Sequence, residues 1–286
     1  MSSLKYTAPE SMEGACSLLS EYGDEAEILS GGQSLVPSIR QRVAPGGVLI
    51  DINNIADQGY IERDGDQLCF GCLVRHTDVV ESPVVAETNP VLADVASSIG
   101  DVQVRNRGTL CGAIAQAHPA GDPPTVVVLF DADIVVTTAD GQRLISGASF
   151  YNGSGETKLE SGELISEVRF DIPGDDAGAG YAKWTPAEGS YPIAAAGALL
   201  ELDGDVISDA RIITGAVEGV PTEVQAAGER LVGAEPTDDS LSEAAKTVGE
   251  NITPVEDFEG SPEFKRELAV TMTKDALDTA LERAEK

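Results

Sequence analysis

The sequence predicts an α+β protein in two parts, and three observations carry that expectation. A helix, strand, glycine loop, helix, strand order runs from Tyr6 to Ile55. Short β-branched segments with turns between them fill Ile61 to Ile172. After Pro173 to Gly180, a stretch rich in Gly, Asp and Ala that reads as a linker, strands give way to helices. The expected regions are residues 1–172, subdivided into about 1–55 and 56–172, and residues 181–286. A chain of 286 residues with 42% hydrophobic content can bury a core in each part. Aromatics make up only 5%, so those cores rest on Val, Ile, Leu and Ala.

Taken in order, Glu10 to Tyr22 spaces Met12, Ala15, Cys16 and Leu19 on one side of a helix. Ala26 to Leu29 is a short strand that runs into Ser30-Gly31-Gly32-Gln33-Ser34. Leu35 to Val43 reads as helix, with Pro37 tolerated in its first turn. Val48 to Ile52 is a buried strand. Within the second region Gln67 to Val74, Val126 to Thr138 and Leu164 to Ile172 read as strands, with one helix around Val91 to Ile99. The last region opens with strands at Ile193 to Leu202 and Val206 to Thr214. Its final helix starts at Ser261-Pro262-Glu263, which supplies an N-cap hydroxyl, a proline at the first helical position and an acid in the first turn.

Charge narrows the function classes. Asp plus Glu number 49 against 19 Lys plus Arg, a net charge of −30. A field of that sign repels phosphate backbones and anionic membranes, so neither nucleic acid nor lipid is an expected partner. Acids spread along the whole chain suit a hydrated surface in strong salt, and a halophilic source is expected. The N-terminus lacks a basic segment followed by an apolar run, and no stretch approaches the roughly 20 apolar residues of a membrane span. A cytoplasmic protein is expected, with Cys16, Cys69, Cys72 and Cys111 as reduced thiols.

Two segments carry the chemistry. A Gly-Gly pair between a strand and a helix exposes successive backbone N–H groups, which hold a phosphate without Lys or Arg. The second segment, Gln103-Val104-Arg105-Asn106-Arg107-Gly108-Thr109-Leu110-Cys111-Gly112-Ala113, adds another glycine turn, a Thr hydroxyl and two arginines. Two such turns about 75 residues apart suit a ligand with two phosphates held between two subdomains. Asp122 follows closely, as an acceptor for sugar hydroxyls or a ligand ring.

Together, Ser30-Gly31-Gly32-Gln33-Ser34-Leu35, Leu49-Ile50-Asp51-Ile52 and Val104-Arg105-Asn106-Arg107-Gly108-Thr109-Leu110 resemble the FAD-binding medium subunit of the xanthine dehydrogenase/carbon-monoxide dehydrogenase family of molybdenum hydroxylases. Pro254-Val255-Glu256-Asp257-Phe258-Glu259-Gly260-Ser261 and the following helix resemble that family's C-terminal domain. The resemblance implies a vanillyl-alcohol-oxidase (PCMH) type FAD domain in residues 1–172. Ser30, Gly31, Gly32, Gln33, Ser34 and Leu35 would line the pyrophosphate of FAD. Thr109, Leu110, Cys111, Gly112 and Ala113 would form the second loop, and Asp122 would bind the polar edge. Leu164 and Lys183 would lie near the flavin. Electrons would come from the iron–sulfur small subunit, served by a molybdopterin large subunit, and no residue of this chain would act on the organic substrate.

The chain departs from the pattern at Cys111-Gly112-Ala113, where the family reads Gly-Gly-Asn or Gly-Gly-Asp, and at Ala117-His118-Pro119-Ala120, where it reads Ala-Asp-Pro-Ala. A side chain at 111 is costly if that position needs a positive φ. The second reading is therefore a cofactor-free scaffold subunit with a degenerate FAD loop. Cys69-Phe70-Gly71-Cys72 sits in a strand pattern, where thiols three apart diverge, and reads as buried structure. With His76 and His118 alone no protein-bound zinc site is expected. His76 reads as structural. Asp175-Asp176 and Asp238-Asp239 read as solvated loop charges. Gly-x-Ser-x-Gly, Walker and Gly-x-Gly-x-x-Gly loops do not occur.

Overall fold

The computed structural model of the chain describes residues 4–43 and 47–286. The first three residues of the first expected region lie outside it. Strand β1 (Lys5–Thr7) precedes helix α1 (Met12–Tyr22). Ser11 caps α1 by accepting a hydrogen bond from Gly14 N at 3.1 Å, and the expected stripe turns Ala15, Cys16 and Leu19 inward. Strand β2 (Ala26–Leu29), helix α2 (Leu35–Arg40) and strand β3 (Val48–Asp51) follow. Helix α2 stops three residues short of the expected Val43. The three strands form a parallel sheet with β3 in the centre. Val48, Leu49 and Ile50 are all buried, as a strand covered on both faces requires.

The second region is about one-third helical. After strands β4 (Ile61–Asp64) and β5 (Gln67–Gly71) come six helices: α3 (His76–Glu81), α4 (Pro83–Thr88), α5 (Pro90–Ser98), α6 (Val102–Arg105), α7 (Leu110–Gln116) and α8 (Asp122–Leu129). Strands β6 (Asp133–Thr137) and β7 (Gln142–Ser146), the small hairpin of β8 (Tyr151–Gly153) and β9 (Glu156–Thr157), and strand β10 (Leu164–Asp171) complete it. The sheet runs β4-β5-β10-β6-β7 and is antiparallel throughout.

The structure corrects two expectations here. One helix was expected and six are present. The expected strand Val126 to Thr138 divides into the end of α8 and strand β6. Valines 126–128 carry strand propensity, but every residue of α8 is buried, so it has no polar face to betray a helical period.

The third region is a four-stranded antiparallel sheet, β11 (Ala177–Trp184), β12 (Ala194–Asp203), β13 (Val206–Gly215) and β14 (Thr222–Glu223), backed by helices α9 (Gln225–Leu231), α10 (Asp238–Asn251) and α11 (Pro262–Ala284). Ser261 caps α11 as expected, accepting from Phe264 N at 3.3 Å. The expected linker is shorter than its composition implies, because Ala177 to Gly180 belong to β11. Glycine is needed there for closeness: a Cβ on Gly178 would lie 2.1 Å from Ala280 O, and one on Gly180 2.0 Å from Ala276 O, both on α11. Asp238 and Asp239 are not loop charges but the first turn of α10 behind the N-cap Thr237, and Asp238 pairs with Lys274 at 2.8 Å.

One core joins the first two regions and a second fills the third. The parts are tied together by Arg283, whose Nη1 donates to Ala179 O at 2.7 Å and whose Nη2 pairs with Asp94 of α5. Among the described residues, no helix is long and apolar enough to cross a membrane.

Candidate cofactor site

Strand β2 delivers the chain into Ser30-Gly31-Gly32, where Gly32 takes φ +72°, a conformation that favours glycine. A Cβ on Gly31 would lie 2.5 Å from Arg107 O and 2.7 Å from Gly108 Cα, so this glycine lets the second glycine segment close against the first. Ser30 Oγ and Thr109 Oγ1 are 2.9 Å apart and hydrogen-bonded. Thr109 is also the N-cap of α7, accepting from Gly112 N at 3.2 Å. A Cβ on Gly112 would meet Thr109 Oγ1 at 2.5 Å. Two segments far apart in sequence, from different subdomains, thus form one joint.

A cleft of about 680 Å³ opens beside that joint. One side is lined by Ser30, Gly31, Gly32, Gln33, Ser34 and Leu35. The other holds Thr109, Cys111, Gly112 and Ala113, with Asp122 and Leu164 further along. Two of the residues singled out from sequence do not line it. Leu110 is buried in the core, its N–H donating to Val74 O at 3.0 Å. Lys183 is turned to Asp122: its Nζ lies 2.9 Å from both carboxylate oxygens and donates to Ser98 O at 2.8 Å.

Asp122 is correspondingly occupied. Oδ1 accepts from Lys183 and, at 2.5 Å, from the Tyr181 hydroxyl; Oδ2 accepts from Lys183 alone and keeps acceptor capacity. Burial pushes this carboxyl above its usual range, while the Lys183 ammonium and the Tyr181 hydroxyl oppose that shift. The pair ties α8 to β11 and so fixes the third region against the cleft.

The strain expected at Cys111 does not arise. The residue lies inside helix α7, and the left-handed position of this segment is Ala117, φ 50°, at the helix's C-terminal end. Cys111 Sγ turns toward Gly71 O at 4.0 Å. Burial raises the Cys72 thiol to about 12 and the Cys111 thiol well above its ordinary value, so the cleft floor holds neutral thiols rather than thiolates.

Sequence reasoning missed Tyr191 altogether. Residues 189–191, in the connection from β11 to β12, bring a wall of the cleft from the third region. Tyr191 stacks on His118 with centroids 4.0 Å apart and planes 11° from parallel, and it is 46% exposed at the mouth. Its only signal was an aromatic next to Pro192 in a turn-rich stretch. His76 was left with a structural role, yet it too lines the cleft. It is buried, and its Nδ1 has no partner among the described residues. Burial, aided by Arg105 and Arg75, lowers its pKa to about 4, which holds the ring neutral.

The family model described as the FAD binding domain in molybdopterin dehydrogenase matches residues 2–173, more than half of the chain. The chain belongs to that family. A second model, the CO dehydrogenase flavoprotein C-terminal domain, matches residues 179–280. The chain is 32% identical to the carbon monoxide dehydrogenase medium chain of Hydrogenophaga pseudoflava, over 96% of each chain. It is 30% identical to the glyceraldehyde dehydrogenase medium chain of Sulfolobus acidocaldarius, over 95% of this chain and 96% of that one. The solved structure of carbon monoxide dehydrogenase from Hydrogenophaga pseudoflava lacking the Mo-pyranopterin moiety superposes with a TM-score of 0.94, at 32% identity and 98% coverage of both chains. The protein is thus an FAD-binding medium subunit of the molybdopterin dehydrogenases, an oxidoreductase component, with that family's α+β architecture.

Proposed function

We propose that this chain binds FAD in the cleft beside the Ser30–Thr109 joint and relays electrons from an iron–sulfur small subunit to an external acceptor, in a complex whose molybdopterin large subunit acts on the substrate. The observation that carries the reading is the interlocking of the two glycine segments: Gly31 and Gly112 sit where a Cβ would strike the opposite segment or its cap. Backbone amides of Gly31 to Ser34, with those of Thr109 and Cys111, would hold the pyrophosphate, since the Leu110, Gly112 and Ala113 N–H groups already donate to Val74 O, Thr109 Oγ1 and Thr109 O. Such a site needs no lysine in a chain of charge −30. Asp122 Oδ2 offers an acceptor to the cofactor's polar edge. Leu164 supplies apolar wall, and Lys183 acts through Asp122 by holding that carboxylate in place. Tyr191 closes the mouth, and neutral Cys72 and Cys111 line the floor without competing for electrons. When bound, the isoalloxazine supplies the redox chemistry, and the protein supplies position and electrostatics.

The scaffold reading rested on a strained Cys111 and on the polar side chain missing at Ala113, and the helical conformation of Cys111 removes the first of these supports. We further place the protein in the cytoplasm of a halophilic host, on its unpaired buried cysteines and its acidic surface. The deciding measurement is titration of the purified chain with FAD, followed by flavin absorbance and fluorescence. One FAD per chain is expected, and Gly31→Ala is expected to weaken binding by about tenfold or more by forcing the loops apart. A colourless chain that takes up no FAD would sink the proposal.

A further inference from the structure

We propose that Arg75 is a positioning residue: it locks the two glycine loops at the separation a dinucleotide requires without touching the ligand. The inference rests on the FAD reading above. Neither Arg75 nor Asn53, its partner, is among the residues that line the cleft.

The guanidinium reaches the second loop directly and the first through Asn53. Nη1 donates to Arg107 O, the same carbonyl that excludes a side chain at Gly31. Nη2 donates to Asn53 Oδ1 at 2.5 Å. Asn53 carries the link onward, its Nδ2 donating to Ser30 O at 2.8 Å and Leu29 O at 3.4 Å. Asn53 is itself held by Asp51, whose Oδ1 accepts from Asn53 N at 2.9 Å and from Nδ2 at 2.7 Å. Asp51 Oδ2 accepts from the Tyr6 hydroxyl at 2.8 Å. An unbroken polar chain therefore runs from the first sheet through the Ser30 loop to the Arg107 loop, with Arg75 as the link between subdomains.

The backbone of Arg75 is fixed independently of its side chain. Its N–H donates to Asp78 Oδ2 at 2.8 Å, and its neighbours pair with the second loop through His76 N to Gly108 O and Leu110 N to Val74 O, both 3.0 Å. Removing the guanidinium thus releases the loop-to-loop tie and leaves the 75–109 pairing in place. The planar fork matters, since its two donors lie at a fixed angle and reach two acceptors at once. A lysine ammonium would satisfy one of them.

The test uses the 286-residue chain and measures FAD dissociation constants, the visible circular dichroism of bound flavin, and far-ultraviolet spectra and melting of the cofactor-free form. Wild-type chain that fails to bind FAD would defeat the underlying cofactor reading, and the positioning claim with it. With wild type binding, Arg75→Met is expected to raise the dissociation constant about ten- to a hundredfold while keeping a wild-type far-ultraviolet spectrum. Arg75→Lys is expected to fall between, with altered flavin dichroism, and Asn53→Ala added to Arg75→Met should weaken binding little further, because both cut one chain. The positioning role is overturned if Arg75→Met binds FAD within twofold of wild type. It is equally overturned if Arg75→Met and Arg75→Lys lose affinity only in step with lost folded structure.

Discussion

A histidine ring buried without a partner for one nitrogen has to be neutral to be tolerated, and His76 shows what that costs in acid. Its folded pKa of about 4 lies below the ordinary histidine value of 6.5. Between those values the unfolded chain binds the extra proton, so stability is complete above about pH 6.5 and is lost as the pH falls toward 4. The shift corresponds to about 3 kcal/mol at most. Substituting His76→Gln should flatten that limb of the stability profile, measured by urea unfolding at successive pH values; an unchanged slope would refute the assignment. Cys111 supports a prediction of the opposite sense to the one its sequence context suggests. Because it sits inside α7 with its side chain buried, Cys111→Gly should destabilise the chain by about 1–2 kcal/mol, through helix propensity and lost burial. Combined with Ala113→Asn it should bring no gain in FAD affinity, and a tighter complex on titration would revive the degenerate-loop reading.

At the scale of elements, the strongest constraint is the contact between β11 and α11. Gly180 leaves room for Ala276 O and Gly178 for Ala280 O, so helix backbone rides directly on strand backbone. Gly180→Ala should cost about 2 kcal/mol or more, read as a lower denaturation midpoint of the third region; a neutral substitution would mean the helix can lift. The same pair shows why the strand was mistaken for a linker: glycines chosen for close approach look, in one dimension, like glycines chosen for flexibility. Elements with one wet face were legible, among them α1 with its Ala15, Cys16 and Leu19 stripe and α11 with its Ser261-Pro262 start. The helices between His76 and Leu129 were mostly missed, since they are short and α8 is buried on every side. In the cleft, the glycine segments were legible because they are contiguous in sequence. Tyr191 and the Arg75–Asn53 link were not, because only the folded chain brings them to the joint.

For the molecule as a whole, 49 acidic against 19 basic residues set a self-repulsion that solvent ions must moderate. The screening length falls from about 10 Å at 0.1 M salt to about 3 Å at 1 M. Thermal midpoints should therefore climb steadily from 0.1 M to 2 M KCl, and a flat or falling series would show that surface charge is not what limits stability. The cofactor reading adds a second demand, since an anionic dinucleotide must enter a negative field. Arg75, Arg105 and Arg107, gathered at the second glycine segment, are a local exception to that field.

The β11–β12 connection and the Arg283 tie have a further consequence for how the chain can be divided. The mouth of the cleft includes residues 189–191, and the strand leading to them is fastened at Ala179 by Arg283, in the last turn of α11. A fragment ending where the first core ends would keep the glycine joint and lose its door. One cut just short of residue 283 would keep the door but not its hinge pin. The pocket thus draws on all three regions, and the last turn of α11 helps to hold its wall in place.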